Sequence, residues 1–125
     1  AEGGEGFAVL NGPDEQLAAG LAIGADGGIG GTYGVMPELY LKIKEYMDEG
    51  RVKEAQQIQY AANEIIYGMC ACHGNMYAVI KEILRIRQGL DIGSVRKPLA
   101  ALIPEDLEQV KKCADMVDRA IEAYT

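Results

Sequence analysis

Apolar positions along this chain fall into two regimes that change over near residue 37. Before it they come as short runs broken by glycine. After it they recur every three or four positions, the spacing of helix faces. The residues FAVLNG, 7–12, are an apolar run closed by a turn signal and predict a buried strand. Asp14 is placed to cap a short helix whose apolar face is Leu17, Ala18, Leu21 and Ala22. The stretch ADGGIGGTY, 25–33, is a second candidate strand despite its poor β-propensity. Glycine is expected in a strand where a barrel narrows or a ligand nears the backbone.

From Pro37 the pattern is helical. Pro37 suits a first helical position and Gly50 the residue after the last turn, with Leu39, Ile43, Tyr46 and Met47 as the apolar face between them. A longer helix is predicted from about Val52 to Cys72, turning Ala55, Ile58, Ala62, Ile65, Ile66 and Met69 inward. Asn75 can cap a third, which carries Val79, Ile80, Ile83, Leu84 and Ile86 and ends at Gly89. A loop of about 15 residues follows, long by ordinary standards, with Pro98 and Pro104 in it. The last helix has Leu107, Val110, Cys113, Val117, Ile121 and Tyr124 on its inner side. Strand, helix, strand, helix is the alternation of a parallel α/β fold, whose sheet needs cover on both faces. Two parallel strands cannot make such a sheet alone. The remaining strands are expected from another chain or from the rest of a larger protein.

Composition narrows the class. A chain of 125 residues is enough for one domain, and 49% hydrophobic with 25% charged residues is globular rather than disordered. A net charge of −7 removes any global attraction for nucleic acid or an anionic membrane. No apolar run is long enough to span a bilayer, and no signal peptide is recognised at the start; the polar opening AEGGEG reads as a tag remnant or a cut loop. The three cysteines, Cys70, Cys72 and Cys113, are an odd number at poor spacing for a disulfide framework, so reduced thiols in a cytoplasmic protein are expected.

Five glycines lie between Gly27 and Gly34. They are not a dinucleotide fingerprint, because Gly28-Ile29-Gly30 is followed by Tyr33 where a small residue is needed. No Gly-Lys-Ser/Thr follows for a phosphate loop, and Ile29, Tyr33 and Val35 are too apolar for a solvated linker. What remains is a strand approached closely by a neighbour or by a ligand. The adjacent carboxylates Asp14 and Glu15 also have two readings. They cap a helix and favour its N-terminus, worth about 1 kcal/mol, or they accept from polyol hydroxyls at a barrel mouth, where strand C-termini carry active sites. In CACH, 70–73, Cys70 and His73 share a helix face but Cys72 points away, and the four ligands of a structural zinc are lacking, so no metal is expected. A Cys-His nucleophile is disfavoured for want of an orienting third group. A Schiff-base lysine needs a desolvated setting. Six of the seven lysines fall on amphipathic helices and Lys97 falls in the loop, so each reads as solvated.

The stretch FAVLNGPDEQLAAGLAIGADGGIGGTYGVMPELY closely resembles the seventh and eighth strands of the N-acetylneuraminate lyase family, within the dihydrodipicolinate synthase superfamily. The later VIKEILRIRQGLDIGSVRKPLAAL, 79–102, resembles that superfamily's C-terminal signature, a lysine-containing helix leading through two glycines to Arg-x-Pro-Leu. The resemblance implies an α/β fold, the C-terminal part of a (β/α)8 barrel with about two parallel strands, followed by a three-helix extension. Residues 1–50 would be the last two β/α units and 51–125 the extension, mostly helical as a fragment. The implied reaction is retro-aldol cleavage of N-acetylneuraminate to pyruvate and N-acetylmannosamine through a lysine Schiff base, with no cofactor. That lysine and a tyrosine would lie upstream, leaving no catalytic residue here. Gly12 matches a backbone contact, Asp14 and Glu15 the carboxylates that hold the sugar's hydroxyls, and Ile29 and Gly30 positions at the pyruvate end. Gly31 and Gly34 depart from a Gly-Ser-Thr-Tyr-Asn wording, which bears on specificity among sugar acids. The implied partners are N-acetylneuraminate or pyruvate, the missing N-terminal barrel portion, and further copies in a tetramer. The isolated piece is expected to be inactive and to associate through exposed edges. A related 2-keto sugar-acid aldolase, or a non-enzymatic helical module derived from the family, is the alternative.

Overall fold

The computed structural model describes residues 3–125, so the first two residues of the AEGGEG opening lie outside it. Two short parallel strands, β1 (Leu10–Asn11) and β2 (Gly27–Gly28), are joined through α1 (Leu17–Ala22). Leu10 pairs with Gly27 and Asn11 with Gly28. Bonds from Asp26 N to Val9 O and from Ile29 N to Asn11 O, 2.8 and 3.0 Å, extend the ladder at both ends. The glycine at 28 is required by packing. A Cβ there would lie 2.1 Å from the Tyr33 hydroxyl and 2.8 Å from Leu17 Cδ1.

Four helices follow: α2 (Pro37–Asp48), α3 (Val52–Cys70), α4 (Met76–Gln88) and α5 (Leu107–Tyr124). Pro37 opens α2, Asn75 caps α4 by accepting from Tyr77 N, and Gly89 closes α4 in the left-handed region at φ 69°. The inward set predicted for α3 is buried in full. One core runs from Leu17 and Ala18 of α1 through α2 and α3 to Val110, Cys113 and Val117 of α5. Leu107 and Ile86, both expected inward, are exposed instead.

The strand region departs further from expectation. The run 7–12 is not buried: Phe7, Val9 and Leu10 are 65, 52 and 51% exposed. The described residues form a two-stranded sheet, so these side chains find no covering layer. The second candidate strand shortens to two residues and its ladder ends at Ile29. Gly31–Gly34 wind into a 3-10 turn, because the Thr32 N–H is donated to the Asp14 carboxylate rather than to a neighbouring strand. Among the described residues no helix is long and apolar enough to cross a membrane.

Candidate functional site

The turn after β1 and the turn after β2 face each other across an open cleft of about 350 Å³. Gly12, Asp14 and Glu15 line it from the first turn, and Ile29, Gly30 and Gly31 from the second. The six residues singled out in the sequence therefore meet at one place. Thr32 completes the strand-end side, while Ile66 of α3 and Met76 and Tyr77 of α4 form the opposite wall.

Asp14 does not cap its own helix. It opens a 3-10 turn, Asp14–Gln16, and is only 7% exposed. Its Oδ2 accepts from the Thr32 N–H at 2.8 Å and also from the Thr32 hydroxyl. The other oxygen, Oδ1, lies against Gly30, where a Cβ would stand 1.5 Å from it. Any side chain at 30 would displace the carboxylate. A Cβ on Gly31 would similarly come within 2.7 Å of Tyr77 Cε1. The glycine run is thus a backbone onto which Tyr33, Asp14 and Tyr77 close in turn.

The backbone of Asp14 and Glu15 is held from α3. Buried Gln59 donates to Asp14 O at 3.0 Å and accepts from Ala18 N at 3.0 Å. It also donates to Asn63 Oδ1 at 3.0 Å, and Asn63 donates to Glu15 O at 3.2 Å. Two polar residues one helical turn apart therefore grip consecutive carbonyls. Half-buried Glu15 has no hydrogen bond to its carboxylate among the described residues. The site thus presents one nearly buried and one open carboxylate to the cleft.

Two tyrosines back this arrangement. Tyr33 and Tyr40 stack with centroids 4.2 Å apart. Burial, reinforced by the nearby Asp14 charge, pushes the Tyr33 phenol up to about 12. Burial likewise raises Tyr40 well above its ordinary 10.0, although its bond to Thr32 opposes the rise. Both stay protonated at neutral pH.

The far wall depends on Asp106, 2% exposed at the start of α5. Its carboxylate accepts from the backbone N–H groups of His73, Gly74 and Ile103 at 2.7, 2.9 and 3.1 Å. His73 Nδ1 lies 3.1 Å from the same carboxylate. Burial works against ionisation, but these donors outweigh it and hold the carboxyl well below the usual range. Asp106 thereby fixes the corner before Asn75, from which Tyr77 reaches the cleft. His73 is engaged there rather than with a cysteine, and burial pushes the Cys72 thiol up to about 11.

Sequence reasoning missed Thr32, Tyr77, Gln59, Asn63 and Asp106. Gln59 and Asn63 sit beside the apolar stripe of α3, and Pro104-Glu105-Asp106 has the form of a helix start. Their partners lie 32 to 48 residues away, and no local spacing names them.

Parallel strands joined by a helix, with strand-end turns around a cleft, are the arrangement of a β/α unit. The model of the dihydrodipicolinate synthetase family matches residues 1–117, and the chain belongs to that family. It is 60% identical over 114 residues to the N-acetylneuraminate lyase of Mediterraneibacter gnavus, covering 91% of this chain and 36% of that protein. The sialic acid aldolase of Ruminococcus gnavus superposes with a TM-score of 0.95 at 56% identity, over 98% of this chain and 40% of that one. The N-acetylneuraminate lyase of Fusobacterium nucleatum complexed with pyruvate gives a TM-score of 0.79 at 31% identity, over 86% of this chain and 36% of that one. The chain thus spans little more than a third of the length of these relatives. Within that span it is a mostly helical fragment with two parallel strands, matching part of their barrel structures.

Proposed function

We propose that this chain supplies the sugar-binding side of the pocket in a Schiff-base, class I aldolase-type lyase that cleaves N-acetylneuraminate to pyruvate and N-acetylmannosamine. The convergence of Gly12, Asp14, Glu15, Ile29, Gly30 and Gly31 on one cleft carries this reading. Asp14 and Glu15 accept from the sugar's hydroxyls, Ile29 and Gly30 line the pyruvate end, and Gly31 takes the place of a serine whose hydroxyl would bind the sugar. In this reading residues 1–50 are the last two β/α units of a cytoplasmic enzyme's barrel. Residues 51–125 are its C-terminal helical extension, which contributes contacts between copies of a tetramer. The Schiff-base lysine and its tyrosine belong to the preceding barrel portion, and the chain alone releases no pyruvate.

The test is complementation with that portion from a relative, followed by pyruvate release from sialic acid. Release should require both pieces. Asp14→Ala or Glu15→Ala should lower kcat/KM about 10- to 100-fold, the worth of a hydrogen bond to a charged group. Turnover by the chain alone would overturn the proposal.

A further inference from the structure

Asp14 is bonded by Thr32, which is bonded in turn to a residue outside the cleft lining. Thr32 Oγ1 lies between the Asp14 carboxylate and the Tyr40 hydroxyl, 2.6 Å from the latter. A hydroxyl carries one proton, and an ionised carboxylate only accepts. The Thr32 proton must therefore point to Asp14 Oδ2, and Tyr40 must donate to the Thr32 lone pair. Order along the chain is forced: Tyr40 to Thr32 to Asp14. The three groups are 2, 0 and 7% exposed, so water does not compete for these bonds. Tyr40 lies in the first turn of α2, its ring stacked on Tyr33, and it is absent from the cleft lining.

We infer that Tyr40 is a positioning residue for Asp14, acting through the Thr32 hydroxyl, an inference that rests on the sugar-binding reading of the cleft. The relay occupies Oδ2 with two donors and leaves Oδ1, beside Gly30, as the oxygen available to a hydroxylated ligand. Without the Tyr40 hydroxyl, Thr32 can still donate to Oδ2 but loses the donor that holds its own hydroxyl in line; without the Thr32 hydroxyl, the carboxylate keeps only the Thr32 N–H. Such a defect weakens the hold on the sugar chain and leaves the bond-breaking groups untouched. It should appear in KM rather than in kcat.

The experiment uses the chain assembled with the preceding barrel portion of a relative, with sialic acid as substrate and circular dichroism to verify folding. Tyr40→Phe keeps the stacked ring and removes one hydroxyl; it should raise KM about five- to tenfold with kcat within about twofold. Thr32→Val should raise KM at least as much, and Thr32→Ser, which restores the hydroxyl, should recover most of that loss. An unchanged KM in Tyr40→Phe, or a fall in kcat and thermal stability without a KM effect, would overturn the inference alone. An assembly of wild-type pieces that binds together yet releases no pyruvate overturns the reading of the cleft, and the inference falls with it.

Discussion

The helix pair α3–α5 and the strand pair β1–β2 with its flanking residues both carry apolar side chains, and these reach opposite environments. Ile58, Ile65 and Val117 are closed off from solvent by their neighbours, while Val9, Leu10 and Ile29 remain open. A helix satisfies its own backbone and needs cover on one stripe only. A parallel strand needs neighbours on both edges and both faces, and two strands supply one edge each. The core stripes of the helices are consequently covered within this chain, whereas the turns at the strand ends are held by side chains of the helices. The site is built on the uncovered half and supported by the covered one.

The largest test of this contrast is truncation in each half. Ile58→Ala should destabilise the chain by about 2–5 kcal/mol in urea unfolding, from lost burial and a residual cavity. Leu10→Ala should stay within about 0.5 kcal/mol in the same measurement. Assembly with the preceding barrel portion should erase much of that gap, since Leu10 then gains cover. Next comes the corner under α4. Asp106→Asn should lower Tm by several degrees and flatten the acid limb of the stability profile. The Asp106 carboxyl is held below its ordinary 3.8 in the folded chain. Its contribution is therefore present in full above that value and is lost as pH falls below it toward the folded pKa. Thermal melts from pH 6 down to about pH 2 should show this limb in the wild type and a weaker one in the variant. Gln59→Leu is expected to cost less than the Ile58 truncation, about 1–3 kcal/mol, through the carbonyl and amide it leaves unpaired. Its sharper signature is faster amide exchange at Ala18, whose N–H bonds Gln59 directly.

The helices were legible because an amphipathic stripe is local: Ala55 to Met69 announces its own burial at three- and four-residue intervals. Asn75 and Gly89 announced the ends of α4 for the same reason. The cleft was legible through the wording around Asn11–Glu15 and Gly27–Tyr33, which matches a known family. What stayed hidden is what the chain decides at a distance. Asp14 has the residue type and position of a helix cap, yet the donors it finds are those of Thr32, 18 residues later. The apolar run 7–12 has the composition of a buried strand, but burial depends on cover that these residues cannot specify. Gly30 is expected at a close approach to the backbone, and its partner within the chain is the Asp14 carboxylate, which no local spacing names.

Gln59 and Asn63 grip the turn of Asp14 and Glu15 from 45 and 48 residues downstream. The contacts that set the two carboxylates are therefore strongly non-local. Closing a loop of that size costs entropy before its contacts repay it. On a chain made from its N-terminus, β1 and its turn leave the ribosome well before the helix that shapes them. The geometry of the carboxylates thus depends on contacts from a helix made later in the chain, and a sequence motif becomes a pocket only where α3 packs against it.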